Sequence, residues 1–409
     1  MSDLAVFRQQ TRSWLADNCP PSMRTRMVPG EEINGGSRRR SSNPEAYLWL
    51  ERMAARGWTA PTWPEAYGGA GLGKAEYMVL LEELQRIGAR PPLVGMGISM
   101  IGPTLLEYGD EAQKSRHLPA IARGEVSWCQ GYSEPGAGSD LASLGTRADD
   151  MGDHFLVSGS KIWTSSADRS DWMFCLVRTD RQAPKHQGIS FLLLSMDSDG
   201  VSTRPIRLIN GASPFCQTFL DNVRVPRENL VGRLNEGWAI GKRLLQHERS
   251  GLAALASGDT AGPMERIQPA QPLGELARRY AGGRPAPAVR RRIVDNQMQR
   301  EALLLTQRRA VEEAEADTPG AATSIFKYVE ANYVQDQLDL QLAIRGLRGL
   351  GWEGEPFDEE EQRMTRLWLE ARAISIAGGS NEIQLNIIAK RVLGLPNPPA
   401  VQGSSREQP

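Results

Sequence analysis

A carboxylate lies on an apolar helix face at Glu248. Leu244 and Leu252 stand four residues before and after it, so the three side chains share one side of a helix. Burying a carboxylate without a partner is unfavourable or raises its pKa, and a raised pKa suits a general base that works near pH 7. The position therefore indicates either a catalytic base or one half of a buried ion pair.

A glycine-rich segment, residues 132–140, reads YSEPGAGSD. Glycine permits a close approach of the backbone, and successive N–H groups can face a polar or anionic ligand. The segment lacks the GxGxxG spacing of a dinucleotide-binding fold. Taken alone, it is more typical of an ordinary turn than of a binding site.

The elements that must position Glu248 and the glycine-rich segment differ along the chain. Both ends of the chain are predicted to be helical. Apolar residues recur there at the spacing of one helix face. The first group of predicted helices covers residues 4–18, 44–56, 74–87 and 93–108, and the second covers 238–256, 289–314, 322–344, 361–376 and 382–393.

The middle of the chain has a different pattern, which begins near Val126. Short runs rich in β-branched and aromatic residues, bounded by Gly, Asp and Pro, predict strands at 155–163, 172–177, 189–194 and 218–225. We therefore expect an α+β protein whose domains are an N-terminal α-helical domain (1–125), a middle β domain (126–235) and a C-terminal α-helical domain (236–395). The tail, 396–409, holds four prolines and no core-forming period, so we expect it to be disordered.

Composition excludes several functional classes. The 409 residues carry 48 Lys+Arg against 49 Asp+Glu, and a net charge of -1 argues against a dedicated nucleic-acid binder. No apolar run approaches the roughly 18 residues of a membrane span, and charges at Asp3 and Arg8 interrupt any signal-peptide pattern. The four cysteines form no CxxC pair and are joined by only four histidines, so we expect no metal site. A cytoplasmic protein is the expectation.

Four segments together resemble the acyl-CoA dehydrogenase family. Besides residues 132–140, they are WPEAYGG at 63–69, KIWTS at 161–165, and GGSNEIQ at 378–384 followed by IIAKRVLG at 387–394. The resemblance spans nearly the whole chain and implies a C-terminal four-helix bundle, FAD as cofactor and an acyl-CoA substrate. It also implies α,β-dehydrogenation, in which a carboxylate removes the α proton while hydride passes from the β carbon to flavin N5.

The resemblance further implies which residues surround cofactor and substrate. Ser133 would hydrogen-bond the flavin ring, Trp163 and Ser165 would pack and bond beside it, and Ser139 would approach the thioester. The implied cofactor contacts are Gln130, Tyr132, Ser133, Gly138, Ser139, Trp163, Thr164, Ser165, Ser380 and Glu382. The implied substrate contacts are Ser139, Arg249, Gly378 and Gly379.

The base departs from the pattern of the best-known members. Medium-chain and short-chain enzymes carry the catalytic Glu directly before the Gly-Thr of the C-terminal motif, where this chain has Gly378, which cannot be a base. The isovaleryl and long-chain enzymes place it on an earlier helix before an Arg, and here that position reads Glu248-Arg249. The resemblance thus favours Glu248 as the base. Gly378 could still hold the thioester carbonyl through its N–H, or simply end a helix before a cap at Ser380 or Asn381.

A second departure concerns the adenosine half of the FAD site, which a neighbouring subunit completes in many members. Their Arg-x-Phe-Gly and Gln-x-x-Gly-Gly segments are absent; residues 278–284 read RRYAGGR and 346–352 read GLRGLGW. The second segment resembles a bacterial branch, including some steroid-degrading enzymes, in which two different chains pair. A homotetramer and a heterotetramer with a homologous subunit both stay open. An electron-transfer flavoprotein is the implied electron acceptor, and an acyl-CoA oxidase is the alternative activity.

The helix that lines the acyl pocket in this family would fall near residues 93–106. Small residues at Gly95, Gly97, Ser99 and Gly102 predict either room for a branched or cyclic acyl group or close helix packing.

Overall fold

The computed structural model describes residues 3–25, 27, 30–38, 41–249, 272–282, 285–315 and 324–396, with the backbone alone at 246–249, 311, 312, 314 and 315. The chain divides into two compact units. Unit 1 is Met1–Arg207 with Ala212–Gly262, and unit 2 is Leu208–Gly211 with Pro263–Pro409. The tail predicted to be disordered lies outside the described residues from residue 397 onward.

The helices of unit 1 surround one apolar core. They are α1 (Asp3–Asn18), α2 (Pro44–Ala55), α3 (Lys74–Arg86), α4 (Gly102–Tyr108), α5 (Glu111–Ala122) and α6 (Gly237–Arg249). Asn43 caps α2 by accepting a hydrogen bond from the Glu45 N–H, and Pro44 takes the first helical position, where its missing N–H costs nothing. A π-helical turn, Gly97–Ile101, leads into α4.

The strands of unit 1 form one mixed sheet. They are β1 (Trp128–Gly131), β2 (Arg147–Asp150), β3 (His154–Ser165), β4 (Trp172–Arg178), β5 (Ile189–Ser195), β6 (Val201–Ile206), β7 (Phe215–Pro226) and β8 (Leu230–Val231). Their order is β6-β7-β3-β2-β4-β5-β8, and β1 pairs in parallel with β4.

Strands β4 and β5 are buried on both faces, which explains why their sequences are apolar at nearly every position. Phe174 and Leu176 pack into the core shared with the helices, whereas Met173 and Val177 pack into a second core on the other face of the sheet. The second core includes Cys129, Cys175 and Cys216, and all four cysteines of the chain are free and buried.

Unit 2 is helical. Its described helices are α7 (Leu273–Tyr280), α8 (Pro287–Glu315), α9 (Phe326–Arg345), α10 (Glu359–Glu370) and α11 (Asn381–Ile387). Two apolar clusters hold them together, one centred on Val334, Leu338 and Met364 and the other on Leu276 and Leu340. The segment Leu208–Gly211 belongs to this unit, since Asn210 Nδ2 donates to Glu370 Oε2 at 3.1 Å.

The α+β class predicted from the sequence is confirmed. Among the described helices, none is both long and apolar enough to cross a membrane.

Candidate active site

Two of the predicted segments meet in unit 1. The Ile162 N–H donates to the Ser133 carbonyl oxygen at 2.8 Å, so residues 132–140 run beside the end of β3. We call residues 132–140 and 161–165 together the wall. Ser133 and Ser165 are half-buried in it, whereas Gly138 and Ser139 are exposed.

Trp163 is the most unusual residue of the wall. Its φ of 60° lies in the left-handed region, which large side chains rarely adopt, and 54% of its surface is exposed. The cause is a register shift between β3 and β7 that falls between Lys161 and Thr164. A strained, exposed aromatic side chain of this kind is typical of a functional site.

The neighbouring Thr164 faces a different environment. It is fully buried, and its Oγ1 has no hydrogen-bond partner in the part of the chain that the structure describes. Its role as a cofactor contact stays a prediction.

The donors of the wall, together with Gln130 at the end of β1, fit a flavin. Gln130 Nε2 is buried and finds no acceptor among the described residues, so it is available to a ligand. No described atom lies within 4 Å of a Cβ built on Gly136 or Gly138, so the backbone there is open to close approach. A free amide donor, the Ser133 hydroxyl and the Trp163 ring together match a planar ring with a polar edge. Tyr132, which is also predicted to contact the cofactor, is buried beneath them.

The wall contains a buried ion pair, Lys161 with Glu134. The Lys161 ammonium, whose side chain is 0% exposed, donates to Glu134 Oε1 at 2.7 Å and to the Leu176 and Tyr132 carbonyl oxygens at 2.7 and 3.2 Å. Burial would raise the pKa of Glu134, but the charge of Lys161 and the hydrogen bonds to that carboxylate outweigh it and lower the pKa. The motif at 161–165 marked Lys161 in the sequence, but nothing there indicated its partner.

The C-terminal motif forms a second, separate region in unit 2. We call residues 378–382 the turn. Gly378 and Gly379 have φ of 66° and 92°, and Ser380 caps α11 by accepting from the Ile383 N–H at 3.4 Å. The predicted cap at Ser380 is therefore confirmed. A hydrogen bond from its own backbone N–H and one from the Ser380 hydroxyl lower the pKa of the exposed Glu382 carboxyl.

Asn381 fixes the turn to α9, a role that sequence reasoning missed. Its Oδ1 accepts from Lys327 Nζ, and its Nδ2 donates to Asn332 Oδ1, both at 3.2 Å. Asn381 itself is buried.

The predicted base lies at the end of α6 in unit 1. Leu244, one turn earlier, is fully buried, which confirms the apolar face at that position. The side chains of Glu248 and Arg249, and the whole of Leu252, lie outside the described residues. The roles of Glu248 and Arg249 stay predictions.

The small residues near α4 serve close packing. A Cβ on Gly102 would lie 2.2 Å from the Trp63 ring, and one on Gly97 would lie 3.1 Å from Ile121. Such contacts leave no space for a side chain. The packing interpretation is confirmed at these two positions.

The segments that depart from the family's adenosine-binding pattern are occupied by protein contacts. Arg345 is buried and donates to the Gln341 carbonyl oxygen at 3.3 Å, and Arg348 pairs with Glu361 at 3.4 Å. Arg279 pairs with Asp358 at 3.0 Å. These arginines already have partners in unit 2.

Three family models match the chain in order. They describe the acyl-CoA dehydrogenase N-terminal domain (residues 3–125), middle domain (129–223) and C-terminal domain (235–393).

Relatives and solved structures match over nearly the full length. Acyl-CoA dehydrogenase IpdE1 of Mycobacterium tuberculosis is 38% identical over 97% of this chain and 99% of its own. A solved structure described as the Tcur3481-Tcur3483 steroid ACAD is 31% identical with a TM-score of 0.73, covering 97% of this chain and 99% of the other. The ChsE4-ChsE5 complex of Mycobacterium tuberculosis is 28% identical with a TM-score of 0.69, covering 97% and 98%.

Proposed function

Because this chain belongs to the acyl-CoA dehydrogenase family and is an oxidoreductase with a flavin cofactor, we propose that it binds FAD at the wall and converts an acyl-CoA to the trans-2-enoyl-CoA. The observation that carries the proposal is Trp163, an exposed aromatic side chain held at positive φ directly after Ile162, whose N–H donates to the Ser133 carbonyl oxygen. FAD, when bound, accepts a hydride from the β carbon of the acyl group.

The residues of the wall hold the cofactor. Gln130 and Ser133 offer hydrogen bonds to the polar edge of the ring, Trp163 covers one face, and Gly138 lets the backbone approach. Ser165 adds a half-buried hydroxyl. The strained backbone at Trp163 is fixed by the sheet before any ligand arrives, which lowers the entropy cost of binding.

Glu248 takes the α proton. In the sequence Glu248 follows the buried Leu244 by one helical turn, and a carboxylate on an apolar helix face is suited to act as a general base. Arg249 and Ser139 contact the substrate. The Gly378 N–H stabilises the oxygen of the developing enolate, a contribution of about 3 kcal/mol for one preorganised donor.

A heteromeric enzyme is the second candidate. The Tcur3481-Tcur3483 and ChsE4-ChsE5 structures are each named for two chains, and this chain is similar to both over its length. In unit 2, Arg279 and Arg348 are already bonded to protein groups in the two segments that depart from the family's adenosine-binding pattern. We infer that a homologous second chain completes the FAD site. An electron-transfer flavoprotein then accepts the electrons.

An absorbance spectrum of the purified protein tests the proposal. We expect a yellow protein whose flavin band bleaches under anaerobic conditions with a member of a panel of acyl-CoAs. A chain that is colourless alone and yellow when co-expressed with a homologous chain supports the heteromer. A protein that binds no flavin in either form contradicts the proposal. Rapid reoxidation by O2 would instead identify an acyl-CoA oxidase.

A further inference from the structure

We propose that Lys161 is a positioning residue whose buried ion pair with Glu134 gives the wall the shape that binds flavin. Lys161 is fully buried, so it acts through the segments it joins rather than by touching a ligand. The flavin part of this inference rests on the proposed function, whereas the effect on the wall does not.

The ammonium joins three parts of unit 1. Lysine has three N–H donors, and here each has an acceptor: Tyr132 O at the start of the wall, Leu176 O in β4, and the Glu134 carboxylate. Lys161 itself lies on β3. One side chain therefore sets the distance between two strands and the backbone that presents Ser133.

The Glu134 carboxylate joins the two ends of the loop formed by residues 135–144. Glu134 Oε2 accepts from the Gly145 N–H at 2.7 Å, and Oε1 accepts from the Thr146 N–H at 2.9 Å. Residues 135–144 are thereby held at both ends, and they include Gly138 and Ser139. Without Glu134, those two amides would have to find other acceptors.

A second buried cation supports the same loop. Arg178 Nη2 donates to the Ala142 carbonyl oxygen at 2.6 Å, and Nη1 donates to the Lys185 and Gln187 carbonyl oxygens at 3.0 Å. Its hydrogen bonds are to carbonyl oxygens, so it fixes the outer part of the loop, and its charge also attracts Glu134. The charge of Glu134 is matched by Lys161.

Stability and positioning can be separated by experiment. Removing one partner of a buried ion pair leaves an uncompensated charge, whereas replacing both with uncharged groups of similar volume is often tolerated. The double variant Lys161→Met/Glu134→Gln should therefore fold, but its loop loses the charged acceptor and the three-way donor. The control is Lys185→Met, which removes an exposed ion pair with Asp140 on the same loop.

Two measurements test the proposal on the full chain. Hydrogen exchange in the flavin-free protein reads the amides of residues 135–146, and titration with FAD, together with the second chain if one is required, gives a Kd. For the double variant we expect a melting temperature close to wild type, exchange in 135–146 faster by about tenfold or more, and an FAD Kd weaker by about tenfold or more, as befits hydrogen bonds to charged groups. Lys185→Met should match wild type in both.

Several outcomes overturn the proposal. Wild-type exchange in the double variant shows that the pair does not hold the loop. Faster exchange with an unchanged FAD Kd shows that the loop's shape does not govern flavin binding. If the double variant does not fold, Glu134→Asp, which keeps the charge but shortens the side chain, takes its place with the same two readouts. A wild-type protein that binds no FAD contradicts the proposed function, and the exchange result then decides by itself whether Lys161 positions the wall.

Discussion

The wall and the turn carry equally recognisable sequence motifs, yet they are supported in different ways. The wall contains the fully buried Lys161, which donates hydrogen bonds to the Tyr132 and Leu176 carbonyl oxygens and to the Glu134 carboxylate. The turn is hydrogen-bonded to α9 through the Asn381 side chain, and no described atom comes within 4 Å of a Cβ placed on Gly378.

This difference indicates which positions of a catalytic site tolerate substitution. In the wall, the residue types at Lys161 and Glu134 are constrained by neighbours that would lose a hydrogen bond. At Gly378 only the backbone conformation is constrained, because the space around it is open. Members of the family can therefore carry either glutamate or glycine at this position with little effect on the fold. When the residue is glycine, another helix must supply the base.

The largest expected effect tests where the base lies. Glu248→Gln keeps the volume of the side chain but removes its ability to accept the α proton, so we expect turnover to fall at least about a hundredfold. FAD should stay bound, and anaerobic addition of a cognate acyl-CoA should no longer bleach it.

Two outcomes would contradict the assignment of Glu248 as the base. Loss of flavin in Glu248→Gln would identify a structural ion pair, and bleaching at the wild-type rate would identify another base. Adding Gly378→Glu to the variant asks whether the turn can supply the carboxylate.

A smaller effect, on stability, is expected at Gly159, which lies in β3 two residues before the wall segment 161–165. A Cβ on Gly159 would lie 2.7 Å from the Thr146 Cα, whose own amide donates to Glu134. Because backbone must shift, Gly159→Ala should reduce the free energy of unfolding by about 2 kcal/mol in urea denaturation. Gly136→Ala, in open space, is the matched control; equal losses in both variants would mean that packing is not the cause.

The corresponding substitution in the turn, Gly378→Ala, should reduce the free energy of unfolding by less than Gly159→Ala does. Gly378→Ala meets no neighbour but must adopt a φ of 66°, which costs about 1 kcal/mol. The same urea denaturation measures it. Gly378→Asn should lose less than Gly378→Ala, since asparagine tolerates this conformation, and a larger loss than in Gly159→Ala would reverse the comparison.

The smallest effect concerns a single contact with the cofactor. Ser133→Ala removes one hydroxyl from the wall and leaves its backbone bond to Ile162 intact. We expect the FAD Kd to weaken by a few-fold, the value of about 1 kcal/mol for one neutral hydrogen bond. Fluorescence titration measures it, and an unchanged Kd would remove Ser133 from the site.

Periodicity predicted the apolar elements well and the polar ones poorly. Residues 44–56 and 74–87 correspond to α2 and α3, and the runs at 172–177 and 189–194 correspond to β4 and β5. Helix α5 was missed because it is polar and contains Pro119, and β2 was missed because it reads Arg-Ala-Asp-Asp. In these two elements, tertiary contacts outweigh local preference.

The site shows a similar limit. Motif matching identified Ser133 and Trp163 as site residues, but the positive φ of Trp163 arises from the pairing of β3 with β7, which no local pattern contains. The partner of Lys161 lies 27 residues away in sequence. Contacts of this kind depend on the folded topology, so the sequence could indicate the residues but not the network that supports them.

The buried cysteines have a chemical consequence. Burial raises the pKa of Cys129 and Cys216, and it raises that of Cys175 to about 11. Because the thiolate is the reactive form, oxidants and alkylating reagents react very slowly with these buried thiols while the sheet stays folded. The rate at which a thiol reagent modifies these residues therefore reports how often the sheet behind the wall opens, with no label added to the protein.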